Sequence, residues 1–157
     1  MKAYKECRCV NGKFFPLFVN ANKEMPMGVW LNAEVGELVD ETHVKARGCG
    51  GKVSLYPGFH LTSVPWAGWI GKRMSDGTLV QRKDTVWVEC EIDGEERHIN
   101  GRSRTLVNGW YYAKTNSKQL WPWIVASRIK INRILSPEEV AIKCREYGYE
   151  PQAMEVA

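Results

Sequence analysis

Nine residues, "DTVWVECEI" from Asp84 to Ile92, restrict the fold more than any other stretch. Val86, Val88, Cys90 and Ile92 alternate with Trp87, Glu89 and Glu91. Successive side chains of a strand point to opposite faces, so this segment is a strand with one apolar face and one mixed face. Other segments read the same way. Ala3 to Val10 alternates loosely. Asn11-Gly12 follows, and then the apolar run "KFFPLFV", Lys13 to Val19, which is a hairpin signal. Pro16 removes a backbone donor, so the second strand of that hairpin is expected to be an edge or to carry a bulge. Val29 to Ala33 reads as a short strand or a helical turn. Glu41 to Val53 is polar and Gly-rich, with Gly48, Gly50 and Gly51 as turn residues. Val53 to Tyr56, Phe59 to Ser63 and Gly109 to Lys114 are further strands. Trp123 to Leu135 is a long strand, expected to bend near Ser127.

Two helices are expected among these strands. Val64 to Gly71 has Pro65 at a first helical position and Ser63 as cap. Trp66 and Trp69 would share one face there, with Ile70 beside Trp66. The second helix is in "SPEEVAIKCREYG", Ser136 to Gly148. Ser136 and Glu139 form a capping box, Pro137 opens the helix, and Gly148 suits its end. Val140, Cys144 and Tyr147 make an apolar stripe. Together these predict an α+β fold: a mainly antiparallel sheet with a short central helix and a C-terminal capping helix. The 157 residues suit one domain over 1–157, with a core at about 3–148 and a short C-terminal tail.

Composition narrows the chemistry. The net charge of +4 permits an acidic partner without demanding one. Five cysteines, Cys7, Cys9, Cys49, Cys90 and Cys144, form no C-x-x-C pair and read as reduced thiols. Cys90, on an apolar strand face, is expected to be inert. His43, His60 and His98 are far apart in the chain, so no metal site is expected. The N-terminus "MKAYKECRCV" has no apolar signal region, and no apolar run nears the roughly 18 residues of a membrane span. The cytoplasm is the expected location, with no membrane partner.

Seven tryptophans, Trp30, Trp66, Trp69, Trp87, Trp110, Trp121 and Trp123, are more than a core of this size needs. Trp beside Arg is the composition of an interface hot spot or of a single-strand nucleic-acid platform. "LYPGFHLTSVPWAGWIGK", Leu55 to Lys72, is either a site or a turn that buries its rings. As a site it would present His60 and Thr62 from one strand face, with Trp66 and Trp69 beside them. The other binding candidates are Trp110 and Lys114 in "GWYYAK", and Arg128 and Lys130, which alternate in "RIKINR".

The order Arg8, then Thr62-Ser63, then the E-x-E of Glu89 and Glu91 resembles the layout of ADP-ribosyltransferases. That resemblance implies an enzyme acting on NAD, with Arg8 and Ser63 holding the dinucleotide. Glu91 would stabilise a cationic ribosyl transition state, which needs a fixed carboxylate nearby. The structural alternative pairs Glu89 and Glu91 with the basic face of a neighbouring strand, such as Arg128 and Lys130.

The chain as a whole resembles a family of small proteins from phages and mobile elements of gut bacteria. The resemblance rests on "PLFVNAN", "MGVWLNAE", "LYPGFHL" with "PWAGWIG", "DTVWVECE", "GWYYAKTN" and "RIKINRILSPEEV". It implies a binding protein without a cofactor, active in the host bacterial cytoplasm. Such a protein could inhibit a host defence component such as a CRISPR nuclease. The partner implied is a host protein or ribonucleoprotein, with nucleic acid as a further class.

Overall fold

The Asn11-Gly12 signal produces a hairpin with a two-residue turn. Both turn residues adopt left-handed backbone, φ 52° and 74°, as a turn matched to strand twist requires. The computed structural model of the chain describes residues 1–17, 21–34, 57–99, 106–114 and 119–156. The flanking strands are β1 (Lys2–Val10) and β2 (Lys13–Phe15), and β2 stops just before Pro16. Next come β3 (Trp30–Asn32), β4 (Phe59–Leu61), β5 (Lys72–Arg73) and β6 (Leu79–Val80). They are followed by β7 (Thr85–Ile92), β8 (Trp110–Ala113), β9 (Trp123–Ala126), β10 (Arg128–Ile134) and the helix α1 (Pro137–Glu146).

Five strands form one sheet in the order β2-β1-β7-β10-β3, and β4-β9-β8 form a second. A small hairpin, β5-β6, stands beside them. All pairings between named strands are antiparallel. β9 and β10 are one long strand that bends at Ser127 and passes from the second sheet into the first. On the other side, Tyr4 of β1 bridges Thr62 just beyond β4, with backbone bonds of 2.8 and 2.7 Å. The two sheets therefore join at two places, the β9–β10 bend and the Tyr4–Thr62 bridge, and share a core between them. Strands that switch sheets at a bend are how such corners are built.

That core holds the apolar face read from Asp84–Ile92. Val88, Cys90 and Ile92 pack with Ala3, Cys7, Leu61, Ile124, Ala126, Ile129 and Ile131. A second cluster uses the far face of the small sheet. Tyr111, Ala113, Trp123 and Val125 pack there with Ala67, Trp69, Ile70, Trp87 and Leu135.

The α+β reading with two helices is corrected. The protein is mostly antiparallel sheet, and α1 is the single helix among the described residues. Residues 62–71 wind through bends and turns where the central helix was expected. Ser63 is exposed and caps nothing, while Thr62 Oγ1 donates to the Val64 carbonyl at 2.6 Å. Trp66 folds its ring directly over Gly68, leaving 2.4 Å to where a Cβ would stand. Two glycines and one proline in eight residues already disfavour a helix. Trp66 and Trp69 still meet, edge-on with centroids 5.7 Å apart, but across a turn and not on a helix face.

The terminal helix forms as its sequence predicts. Ser136 Oγ accepts from the Glu139 amide at 3.1 Å, and Glu139 accepts from the Ser136 amide at 3.2 Å. Cys144 is buried and Val140 half-buried, but Tyr147 is 63% exposed. The chain reverses at Gly148, φ 82°, and Tyr149 stacks on Trp66 instead, with centroids 5.5 Å apart. The residues after 148 are part of the packed structure. Trp66 Nε1 donates to the Glu150 carbonyl at 3.0 Å, and residues 153–155 clasp the backbone of Gln81 with two 2.7 Å bonds. The expected Gly-rich loop at 41–53, the strand at 53–56, His43 and Cys49 lie outside the described residues. No helix of the described residues is long and apolar enough to cross a membrane.

Candidate functional site

β3 is the outer strand of the five-stranded sheet, and its register on β10 sets the most distinctive surface feature. Lys130 pairs with Trp30, and Arg128 pairs with Asn32. The two-residue period of a strand brings Arg128 and Lys130 to the same face as Trp30. Arg128 Cζ lies 4.9 Å from the Trp30 ring centroid, and Lys130 Nζ lies 5.1 Å from it. Cations at that distance are attracted by the ring quadrupole, by about 0.5–1 kcal/mol each at exposed sites. The indole is thus fixed in orientation while 37% of Trp30 stays open to solvent.

The charges around it are arranged unevenly. Arg128 Nη1 holds Asp93 Oδ2 at 2.9 Å. Glu91, opposite Lys130 in the register, receives the N-terminal ammonium at 3.7 Å and Asn132 Nδ2 at 3.4 Å. Lys130 is the cation at this face with no carboxylate in ion-pair range among the described residues.

Beside Trp30, at the β9–β10 bend, is a cleft of about 320 Å³. It is lined by Asn32, Asn108, Ser127 and the Asp93–Arg128 pair, together with Leu106 and Val107. The bend beneath it is tightly bonded. Ser127 donates its amide to the Gly109 carbonyl at 3.0 Å, and Ser127 Oγ accepts from the Gly109 amide at 3.1 Å. The Ala33 amide donates to the Ser127 carbonyl at 2.8 Å. Hydrogen bonds thus tie together the strands beneath the cleft, and Arg128 belongs to both cleft and platform.

The structure does not bring Arg8, Ser63 and Glu91 together. Arg8 pairs with Thr85, and Glu91 pairs with Lys2, at opposite ends of the β1–β7 ladder. Six residues along a strand at about 3.3 Å each separate them by roughly 20 Å. Arg8 instead binds the carbonyls of Pro16 and Ala21 and lies over Phe15. It ties the β2 hairpin to the loop after it. Ser63 is an exposed turn residue. Glu89 is buried and meets Arg133 at 3.2 Å and Lys2 at 3.3 Å. Its cross-strand partner is thus Arg133, in the manner of the structural alternative but with a different cation.

His60, Thr62, Trp66 and Trp69 form the buried turn. Thr62 is fully buried and spends its hydroxyl on backbone. Burial lowers the His60 imidazole to about 3, so it is neutral. Its Nδ1 lies 3.2 Å from the Gly58 carbonyl, and its ring meets Trp123 edge-on at 5.7 Å. Trp66 and Trp69 contact Trp121, and Trp69 also contacts Trp123, all with centroids 5.3–5.7 Å apart. Trp110 is half-buried against the main core and meets Tyr112 edge-on, with exposed Lys114 just past the end of β8.

Other reactive groups are enclosed. Cys7 and Cys90 face the core, where burial pushes both thiols up to about 12. Lys5 is also buried, and desolvation lowers its ammonium pKa while Nζ donates to the His60 carbonyl at 3.1 Å. No group of three or more metal-ligating side chains occurs among the described residues. Of the expected binding residues, Arg128 and Lys130 are thus the pair placed in a constellation. Its centre, Trp30, and the neighbouring Asn32 and Asp93 carry no local sequence signal. Comparison with protein-family models, curated proteins and solved structures gives no match.

Proposed function

We propose that this chain is a binding protein without catalytic activity, and that its contact face is the outer surface of the five-stranded sheet around Trp30, Arg128 and Lys130. What supports this is the way Trp30 is held. A large ring, oriented by two cations and left open at the sheet edge, has the chemistry of a hot spot. The resemblance to small phage and mobile-element proteins supplies the context. In that setting the chain acts in the cytoplasm of a host bacterium. Its target is a host defence protein or ribonucleoprotein such as a CRISPR nuclease. An ADP-ribosyltransferase reading lacks support, because Arg8 and Glu91 stand at opposite ends of one ladder.

The test is capture of a stoichiometric partner from bacterial lysate on immobilised wild-type protein and on Trp30→Ala. A partner held by wild type and lost from Trp30→Ala supports the reading. A partner held equally by both, or none held by either, overturns it.

A further inference from the structure

The cleft and the Trp30 platform are contiguous, since Asn32 and Arg128 belong to both. We infer that together they hold a short stretch of single-stranded nucleic acid, one base against the exposed part of the Trp30 ring and the adjoining nucleotide in the cleft. This rests on the proposed contact face and names what that face takes. Three features of the site agree with it.

The first is the ring. Arg128 and Lys130 approach Trp30 from the β10 side, and the ring remains partly open. Every base has a π-face, so such a platform accepts any base. The second is charge. Asp93 is taken up by Arg128, and Glu91 by the N-terminus and Asn132, which leaves Lys130 for a phosphate. The third is the cleft, whose volume of about 320 Å³ is near the lower bound of small-ligand sites. Its lining includes Asn32, Asn108 and Ser127, residue types that both donate and accept, which suits a sugar or a base edge. An acidic peptide would use the cations and leave the ring and the cleft amides without a counterpart, so the strand is favoured.

The experiment is fluorescence anisotropy with labelled oligouridylate and oligothymidylate of about eight nucleotides, within the usual span of one single-strand site. Oligoglutamate of similar length is the acidic-peptide arm. Saturable binding of either oligonucleotide is expected, weakened at least about fivefold by Trp30→Ala and largely restored by Trp30→Phe. Lys130→Gln is expected to reduce the slope of log affinity against log salt by about 0.7, the value for one lost phosphate contact. Asn108→Ala, at a side chain on the cleft wall, should weaken binding without changing that slope. Trp30 lies at an exposed edge, and equal unfolding midpoints for wild type and variants establish that the fold is kept.

Absence of saturable oligonucleotide binding overturns the inference. So does binding indifferent to Trp30→Ala, or oligoglutamate binding with the same dependence on Trp30. If lysate capture depends on Trp30 and survives nuclease treatment while the oligonucleotides fail, the contact face stands and the nucleic-acid assignment falls. If capture also fails, both fall.

Discussion

Glu6 lies on β1 with only 6% of its surface exposed, and its Oε1 has no hydrogen-bond partner. Burial raises its carboxyl from 4.5 to about 7, offset in part by Thr85 and by the nearby Arg82 and Lys5. An acid whose pKa rises on folding stabilises the fold in its protonated form. That contribution is fully present below about 4.5 and is lost as the pH climbs through about 7. At about 1.4 kcal/mol per pH unit, the rise corresponds to roughly 3 kcal/mol, a large part of a domain's usual stability. Glu6→Gln keeps the shape and removes the ionisation. The variant should match wild type near pH 4.5 and exceed it by about 2–3 kcal/mol at pH 8. Urea unfolding followed by tryptophan fluorescence at pH 5, 6, 7 and 8 measures this directly. A wild-type-to-variant difference that stays constant across the series, or that favours wild type at pH 8, refutes the reasoning.

Other outcomes follow from the same structure. Ser136→Ala removes the accepting half of the capping box and should cost about 1 kcal/mol in urea unfolding, with Ser136→Gly costing less. Cys7 and Cys90, held up near 12, should resist iodoacetamide at pH 8 in the folded protein and react once it is unfolded in urea, as read by mass spectrometry. NAD at millimolar concentration should leave the melting temperature unchanged, because Arg8 and Glu91 do not converge. A ligand at 100 times its dissociation constant stabilises a fold by about 2.7 kcal/mol, so a clear upward shift would contradict this.

What the sequence made legible was local. Asn-Gly flanked by apolar runs gave the hairpin, and Pro16 marked its second strand as an edge, where β2 lies. The alternation at Asp84–Ile92 gave β7, and Ser127 marked the bend between β9 and β10. The capping box at Ser136 gave α1. At Ser63-Val64-Pro65 the local cap pattern failed, and Trp66 and Trp69 instead meet each other edge-on and share Trp121 in one aromatic cluster that no local pattern announces. Glu6 sits between Lys5 and Cys7 on β1, and no periodicity reveals that both faces of the strand are covered there. The site around Trp30 was hidden for a topological reason. β3 pairs with β10 across about a hundred residues, so nothing near Trp30 announces Arg128 and Lys130 as its neighbours.

The central claim, that the contact face is the outer sheet around Trp30, is tested most directly by amide hydrogen exchange with the captured partner bound and absent. Protection confined to residues 30–32 and 128–134 is the predicted result. Protection centred on 66–70 and Tyr149, with β3 and β10 unchanged, would place contact at the buried aromatic turn and contradict it.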